Sequence, residues 1–211
     1  MFRYRIADAS AADLEGWHRL RTSLYLESGL ITPDDIDPES GHFVDTYDDH
    51  SIHLLAATDD VDIGCWRMVE PADGRTLPVT DLFGIDVLPN AWESSGSAVL
   101  PRYRKSPVTL GFYRALFTIA EEKGYENVYG IVEQPFLDAA MRFGLPVEVV
   151  GEPRFVFNAL NVPTLITRSA MVSVIENQDG PGFAAFFRKP FDWTLSPSDL
   201  NPVAGDRTTG R

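Results

Sequence analysis

A strand–helix–strand pattern near the middle of the chain limits the fold more than any other feature. SGSAVLP predicts a short strand at 95–101, and PVTLGFYRALFTIAEEKG predicts a helix at 107–124 with Pro107 in its first turn and Gly124 at its end. NVYGIVE predicts a second strand at 127–133. Such a connection is a right-handed crossover, so we expect the two strands to be parallel.

A hairpin pattern requires antiparallel pairing in the same protein. IHLLAAT at 52–58 and VDIGCWRMVE at 61–70 are rich in apolar and β-branched residues, and only Asp59 and Asp60 separate them. Parallel and antiparallel pairs together predict an α/β protein with a mixed twisted sheet and helices on both faces. The other predicted elements are a strand at 2–7, a helix at 11–28 capped by Ser10 and ended by Gly29, loops at 30–50 and 71–92, a helix at 134–144, and strand-like segments at 147–161 and 162–176.

Length and charge set the domain count and exclude some partners. The 211 residues suit one α/β domain, so we expect a single domain at 1–194 and a flexible C-terminal tail at 195–211. A net charge of −13 makes nucleic acid a poor partner. Cys65 is the only cysteine, which excludes an intramolecular disulfide. Without a signal-peptide pattern or a long apolar run, we expect a cytoplasmic protein with no transmembrane segment.

Common catalytic and cofactor motifs are missing from the sequence. There is no GxxxxGK[ST], GxGxxG, HExxH, CxxC or GxSxG. His50 and His53 lie three residues apart and close to several aspartates, which is compatible with a metal site. They also lie where a loop meets a strand, and a solvated polar loop explains them better. We therefore predict no metal ligand and no tightly bound cofactor.

Several motifs follow one another in a recognisable order. They are LRTSLYLESG, DTYDDHSIHLLA, IGCWRMVEP, LPVTDLFG, WESSGSAVL, YRALFTIAEEKGYENVYGIVE, MRFGLPVEVVGEP and VPTLITRSAMVSV. Each motif alone is unspecific, but their order and spacing over residues 15–176 resemble the acyl-homoserine-lactone (autoinducer) synthase family and the related long-chain N-acyl amino acid synthases. The resemblance implies the GNAT-like (acyl-CoA N-acyltransferase) fold, in which an amine attacks an acyl thioester held in a cleft between splayed strands.

The resemblance also implies a pocket for the amine acceptor. Arg21 and Tyr25 match positions on the first helix that build this pocket. Asp45 and Asp48 match acidic positions, which would hold the ammonium group of an amino-acid-like substrate by charge-assisted hydrogen bonds. Arg67 matches an arginine that would orient these carboxylates or bind a substrate carboxylate.

Two further positions of the family pattern are present. Phe83 matches an aromatic wall of the acceptor pocket, and Glu93 matches the carboxylate that takes the amine proton through water. An amine is protonated near pH 7, so acyl transfer needs a base within reach, and a partly desolvated carboxylate can act as one. Without the resemblance, Glu93 would be interpreted as a surface glutamate at the start of a strand.

Two positions depart from the family pattern. The pattern has an arginine three residues after the glutamate, where this chain has Gly96. It has a glutamate at the first acidic position of the acceptor loop, where this chain has Phe43. In the lactone synthases both positions contribute to the recognition of S-adenosylmethionine, so the departures argue against that acceptor.

The donor side differs from ordinary acetyl-CoA enzymes of the superfamily, which hold the pyrophosphate in a glycine-rich loop. The corresponding junction reads LPRYRKSPVTLGF, with Pro107 and Thr109 in place of glycines. This favours an acyl chain delivered by an acyl carrier protein (acyl-ACP), although acyl-CoA stays possible. Arg102, Arg104 and Lys105 are candidate contacts for an acidic carrier, and a solvated loop explains them about as well.

The predicted function is transfer of a medium- or long-chain acyl group from an acyl thioester to the amine of an amino acid or similar small molecule. Three alternatives stay open. They are an acyl-homoserine-lactone synthase using S-adenosylmethionine, a small-molecule acetyltransferase using acetyl-CoA, and a non-catalytic ligand- or partner-binding module on the same fold. The sequence does not predict the oligomeric state.

Overall fold

The structure, a computed structural model, describes residues 1–59, 61–177, 186–187 and 191–195. The predicted tail lies outside these residues except for Leu195. Among the helices within them, none has the length and apolar character that crossing a bilayer requires.

Strands and helices alternate along most of the chain. The strands are β1 (Phe2–Ile6), β2 (Ser51–Thr58), β3 (Val61–Val69), β4 (Ala91–Val99), β5 (Asn127–Glu133), β6 (Glu148–Val149), β7 (Arg154–Val156), β8 (Ala159–Thr167) and β9 (Thr194–Leu195). The helices are α1 (Ala11–Ser28), α2 (Pro78–Phe83), α3 (Val108–Lys123), α4 (Gln134–Phe143) and α5 (Arg168–Asn177). As predicted, the Ser10 side chain caps α1 by accepting a hydrogen bond from the backbone N–H of Asp13, and Gly29 ends the helix.

The described strands form one mixed sheet in the order β6–β8–β5–β4–β3–β2–β1–β9, with β7 paired to β8. Strands β4 and β5 are parallel, as the strand–helix–strand pattern predicted. The predicted hairpin of β2 and β3 is antiparallel, and so are the other described pairs.

Helices cover both faces of this sheet. Leu54 of β2 belongs to the same apolar cluster as Phe112 of α3. The next residue, Leu55, packs with Trp17 of α1 and with Cys65. Successive side chains of a strand point to opposite faces, so α1 and α3 lie on opposite sides of the sheet. This confirms the predicted fold class.

Strands β4 and β5 separate partway along their length. Their parallel pairing ends at Ser94 and Gly130, whereas β4 continues to Val99 and β5 to Glu133. Each strand stays paired with its other neighbour, β3 or β8. A V-shaped opening therefore lies in the middle of the sheet.

A bulge in β4 lies beside this opening. Cys65 pairs with Ala98, but Arg67 pairs with Ser95, so β4 contains one extra residue across this stretch. Gly96 within the bulge has a left-handed backbone with φ +64°, and a Cβ there would lie 3.0 Å from the Cβ of Arg67. Both facts favour glycine, and an arginine at this position would require a different local backbone.

The predicted strand at 162–176 is wrong beyond Thr167, because α5 begins at Arg168. Met171 and Val174 lie three residues apart and pack in one cluster on the inner side of this helix. The β-branched residues of this segment resemble a strand, and tertiary packing of its apolar face overrides that preference.

The predicted loop at 71–92 is also partly wrong, because it contains α2 and the first residues of β4. Pro78 occupies the first turn of α2, where proline is a typical start signal. Strand β4 begins at Ala91, so Glu93 lies inside the sheet and is fully buried. The interpretation of Glu93 as a surface residue is therefore wrong.

Helix α3 approaches β1 closely at Gly111. Tyr4 of β1 donates a hydrogen bond from its hydroxyl to the carbonyl of Val108, at 2.9 Å. A Cβ added at Gly111 would lie 2.0 Å from that hydroxyl oxygen and 2.1 Å from the ring carbon that bears it. The contact therefore depends on the absence of a side chain at Gly111.

We expect Gly111→Ala to destabilise the protein by about 3 kcal/mol, because overpacking strain exceeds the gain of about 1 kcal/mol in helix propensity. Gly16→Ala is the matched control, since Gly16 lies inside α1 and an added Cβ would meet nothing closer than 3.8 Å. That variant should be neutral or slightly more stable. Chemical denaturation measures both, and equal effects would contradict the close contact at Gly111.

Candidate active site

The opening between β4 and β5 leads into a cavity of about 520 Å³. On the α1 side of the sheet its wall is polar and contains Arg21, Asp45 and Arg67. On the α3 side its wall is apolar. The apolar side chains that line it include Trp66, Tyr113, Leu116, Phe117, Val132, Phe136, Leu137 and Ala140. The cavity thus joins a charged compartment to an apolar one through the separated strands.

Glu93 lines the cavity at the last paired residues of β4 and β5. Its Oε2 accepts a hydrogen bond from the backbone N–H of Val79, at 2.7 Å, whereas its Oε1 has no partner among the described residues. Burial raises the pKa of Glu93 to about 8, and the Val79 hydrogen bond and the charge of Arg67 offset only part of this effect. A carboxyl with a free oxygen and a pKa near neutrality is suited to accept a proton.

Two arginines and two aspartates form a buried cluster at the polar side of the cavity. Arg21 pairs with Asp48 through two hydrogen bonds, from Nη1 to Oδ1 at 3.0 Å and from Nη2 to Oδ2 at 2.7 Å. Nη1 of Arg67 donates to Oδ1 of Asp45 at 2.6 Å and also to Oδ1 of Asp48. Nε of Arg67 donates to the hydroxyl of Ser95 at 3.1 Å. These contacts join α1, the loop at 30–50, β3 and β4.

The two aspartates of this cluster differ in exposure. Asp48 is 8% exposed and does not line the cavity, whereas Asp45 lines it and is partly accessible. Burial alone would raise the pKa of Asp48, but the hydrogen bond to His53 and the charges of Arg21 and Arg67 hold it well below its usual range. The Asp48 carboxylate therefore stays ionised and bound to Arg21, Arg67 and His53.

Helix α1 holds the loop at 30–50 in place through hydrogen bonds to Phe43. The Thr22 hydroxyl accepts a hydrogen bond from the backbone N–H of Phe43 at 2.9 Å, and Arg21 donates to the Phe43 carbonyl at 2.7 Å. The Phe43 ring lies 4.9 Å from the Arg21 guanidinium carbon, which is a cation–π contact. Phe43 therefore stabilises Arg21 through its ring. Tyr25, one turn further along α1, also lines the cavity, and its ring centre lies 6.0 Å from that of Phe43.

Phe83 does not line the cavity. It packs in a separate apolar cluster with Val79 and Tyr129, and the guanidinium of Arg154 lies 5.6 Å from its ring centre. It shares α2 and this cluster with Val79, the residue whose N–H holds Glu93. A role of Phe83 in shaping the site would therefore act through α2.

The basic residues Arg102, Arg104 and Lys105 are exposed, in the turn between β4 and α3, and none of them lines the cavity. Arg102 lies over the ring of Tyr103 at 5.2 Å, and Nε of Arg104 donates to the carbonyl of Val99 at 3.1 Å. All three residues stay candidate contacts for an acyl carrier protein.

Sequence reasoning missed three contributors to the site. Val79 supplies the N–H that holds Glu93, Ser95 supports Arg67, and His53 contacts Asp48. Pro78 before Val79 was a usable signal for the start of a helix, and helix N-termini present free N–H groups. For Ser95 no sequence signal was available, because its role depends on the pairing of β3 with β4.

The two histidines considered for a metal site have different neighbours. His53 faces Asp8 and Asp48, whereas Nδ1 of His50 lies 3.4 Å from Nη1 of Arg75. Across residues 1–59, 61–177, 186–187 and 191–195, no group of three or more His, Cys, Asp or Glu side chains is arranged to hold a metal ion.

Solved structures with similar folds include several acyltransferases. BjaI, a CoA-dependent acyl-homoserine lactone synthase solved with SAM and isopentyl-CoA, is 24% identical, with a TM-score of 0.62 over 83% of this chain and 88% of its own. The AHL synthase LasI is 20% identical, with a TM-score of 0.62 over 79% and 88%. FeeM, an N-acyl amino acid synthase from uncultured soil microbes, is 12% identical, with a TM-score of 0.63 over 85% and 96%. The chain therefore has the fold of the GNAT-like acyltransferases, with a cavity between its splayed strands.

A more specific assignment comes from sequence. The sequence model of the autoinducer synthase family matches residues 6–169, and the chain belongs to this family. No curated protein sequence matches the chain. Family membership supports the enzyme prediction over the non-catalytic module.

We expect Asp48→Asn to destabilise the protein by about 3–5 kcal/mol at pH 7, because it leaves two buried arginines short of a countercharge. Asp49→Asn is the matched control, since that neighbouring carboxylate is 74% exposed and pairs only at the surface with Arg75. It should change stability by less than about 0.5 kcal/mol. Urea denaturation of both variants checks this, and a small effect of Asp48→Asn would contradict the structural role.

The raised pKa of Glu93 predicts a pH dependence of stability. The unfolded chain releases this proton near the ordinary value of 4.5, and the folded chain releases it only near 8. The folded state therefore binds more protons between these values, and the free energy of unfolding should fall as pH rises from about 5 to 8. In the Glu93→Gln variant, the free energy of unfolding should lack this fall with pH. Denaturation at several pH values measures the difference, and parallel curves for the two proteins would contradict the pKa shift.

Proposed function

We propose that the protein transfers an acyl group from a thioester to the amine of an amino acid or similar small molecule. The observation that carries this proposal is the unpartnered Oε1 of buried Glu93, at the point where a polar compartment meets an apolar one. An amine nucleophile needs a base at that junction, and an acyl chain needs an apolar compartment beside it.

The cavity supports a simple sequence of steps. The ammonium group of the acceptor loses a proton to Glu93, directly or through water, and the amine attacks the thioester carbonyl. A C–N bond forms, the C–S bond breaks, and a second proton of the attacking nitrogen passes to the departing sulfur, so that the thiol leaves with its carrier. Among the described residues, β4 has no strand partner on its β5 side beyond Ser94, so backbone N–H groups along this edge are candidates to stabilise the oxyanion.

A zwitterionic amino acid suits the polar compartment better than a cationic acceptor. Arg21 and Arg67 line the cavity with Asp45, so both signs of charge are within reach of a substrate carboxylate and ammonium group. Phe43 and Gly96 replace a glutamate and an arginine of the lactone synthases, and the backbone of Gly96 disfavours the arginine. We therefore favour N-acyl amino acid synthesis over lactone synthesis from S-adenosylmethionine.

For the donor, we favour an acyl carrier protein over acyl-CoA. Helix α3 begins directly after Pro107, and this junction lacks the glycines that would let backbone N–H groups surround a pyrophosphate. The exposed residues Arg102, Arg104 and Lys105 lie in the same turn and would contact an acidic carrier. The similar protein BjaI was solved with isopentyl-CoA, which keeps acyl-CoA as the alternative donor.

The identity of the product decides between these alternatives. Purified protein would be incubated with acyl-ACP or acyl-CoA donors of several chain lengths, a mixture of amino acids, and S-adenosylmethionine, and the products analysed by mass spectrometry. An N-acyl amino acid supports the proposal. An acyl-homoserine lactone would instead establish the S-adenosylmethionine alternative, and an acetylated amine formed only from acetyl-CoA would establish the acetyltransferase.

Glu93→Gln should reduce kcat by about 100-fold or more, since general base catalysis contributes about 10²–10⁴. In the wild-type protein, kcat should rise with pH as Glu93 ionises, because burial raises its pKa and only the carboxylate accepts the proton. The variant should lose this rise. Glu126→Gln, which alters an exposed carboxylate outside the cavity, is the control. A pH profile that is the same in wild type and Glu93→Gln would contradict the role of Glu93.

A further inference from the structure

A buried histidine connects the site to an aspartate outside it. His53 of β2 is 2% exposed. Its Nδ1 lies 2.7 Å from Oδ1 of Asp8, and its Nε2 lies 3.4 Å from Oδ1 of Asp48. An ionised carboxylate only accepts hydrogen bonds, and a neutral imidazole has one N–H. Donation to both carboxylates therefore requires the imidazolium form of His53.

The charges of the cluster balance only when His53 carries its proton. Asp8, Asp45 and Asp48 supply three negative charges. Arg21 and Arg67 supply two positive charges, and imidazolium supplies the third. Loss of the proton would leave a net negative charge at a largely buried cluster, which is costly in a medium of low dielectric constant.

The other groups around His53 hold its ring without competing for its protons. Trp17 of α1 meets the ring edge-on, at 4.4 Å between ring centres, and Arg67 lies opposite His53 in the strand pairing. His18 of α1 lies 5.9 Å away, and burial lowers its pKa, so it stays neutral near pH 7. His42 stacks on the His18 ring at 6.4 Å. The backbone N–H of His53 also donates to Asp8, at 2.9 Å.

We infer that His53, bridging Asp8 and Asp48 as an imidazolium, is a positioning residue for acceptor binding. It holds Asp48, which in turn holds the side chains of Arg21 and Arg67 that line the cavity. His53 itself does not line the cavity. The role rests on the proposed function, because it assigns the polar compartment to the amine acceptor.

The inferred role predicts a second pH dependence, opposite in sign to that of Glu93. Burial lowers the pKa of His53, but hydrogen bonds from its ring to Asp48 and Asp8 and the charges of these carboxylates raise it overall above the usual 6.5. The imidazolium is present below this pKa and is lost as pH rises through it. The KM for the acceptor should therefore increase with pH in this range, while kcat still rises because Glu93 ionises.

Three variants of the full-length protein test the inference, with kcat and the KM values for both substrates measured between pH 6 and 9. His53→Gln should raise the acceptor KM about tenfold or more below the His53 pKa, the effect of losing a hydrogen bond to a charged group. It should leave the donor KM unchanged and remove the pH dependence of the acceptor KM. Asp8→Asn should shift that dependence to lower pH. His18→Gln changes a neighbouring histidine that is neutral near pH 7 and makes no hydrogen bond to Asp48 within the described part of the chain, so it should behave like wild type near pH 7.

The possible results distinguish a positioning role of His53 from a purely structural role, and a failure of this inference from a failure of the proposed function. If the acceptor KM keeps its wild-type pH dependence in both His53→Gln and Asp8→Asn, or if the donor KM changes equally, the inference is wrong. Should His53→Gln fail to fold, Asp8→Asn decides, because Asp8 is partly exposed and lies outside the cavity. A wild-type protein that forms no N-acyl product would overturn the proposed function, and this role with it.

Discussion

Strands β4 and β5 run side by side through Ser94 and Gly130 and then diverge, and the rest of the site depends on that divergence. A continuous sheet would separate the space under α1 from the space under α3. Here one cavity reaches both faces, so a charged compartment and an apolar compartment share a boundary. Glu93 lies at that boundary because it belongs to the last paired segment of β4. The geometry brings Glu93, a charged wall and an apolar wall together in one cavity, and the loop before β2 supplies Asp45 to the charged wall.

The charged groups of this site differ in how well they are paired: the arginines and aspartates have partners of opposite charge, whereas Glu93 has none among the described residues. Short, charge-assisted hydrogen bonds join the Arg21, Asp48 and Arg67 side chains on the polar side of the cavity. Glu93 has a single hydrogen bond to one of its oxygens, and burial of its carboxyl costs folding free energy at neutral pH. A buried carboxyl with an unpaired oxygen lowers stability, and such a cost is typical of functional sites, where activity and stability make opposing demands.

Local signals predicted much of the fold correctly, and they failed where packing overrode them. The Ser10 cap, the Gly29 and Gly124 helix ends and the antiparallel hairpin follow from residue types at short spacing. The segment after Arg168 is rich in β-branched residues and still forms a helix, because one face packs into the core. For the site, motif order pointed to Arg21, Arg67 and Glu93, which line one cavity, and also to Phe83, which does not. It did not distinguish Asp45, which lines the cavity, from Asp48, which lies behind it.

The amino-acid sequence was sufficient to establish the α/β class, the order of most elements, the family resemblance and a short set of charged candidates, since these depend on periodicity and on motifs within a few residues. It could not show that Glu93 is buried with a free oxygen, that Gly96 sits in a left-handed bulge against Arg67, or that His53 joins Asp8 to Asp48. Each of these properties arises from contacts between residues distant in the chain. Burial, charge pairing and pKa depend on those contacts, so they emerged only when the strands and helices were assembled.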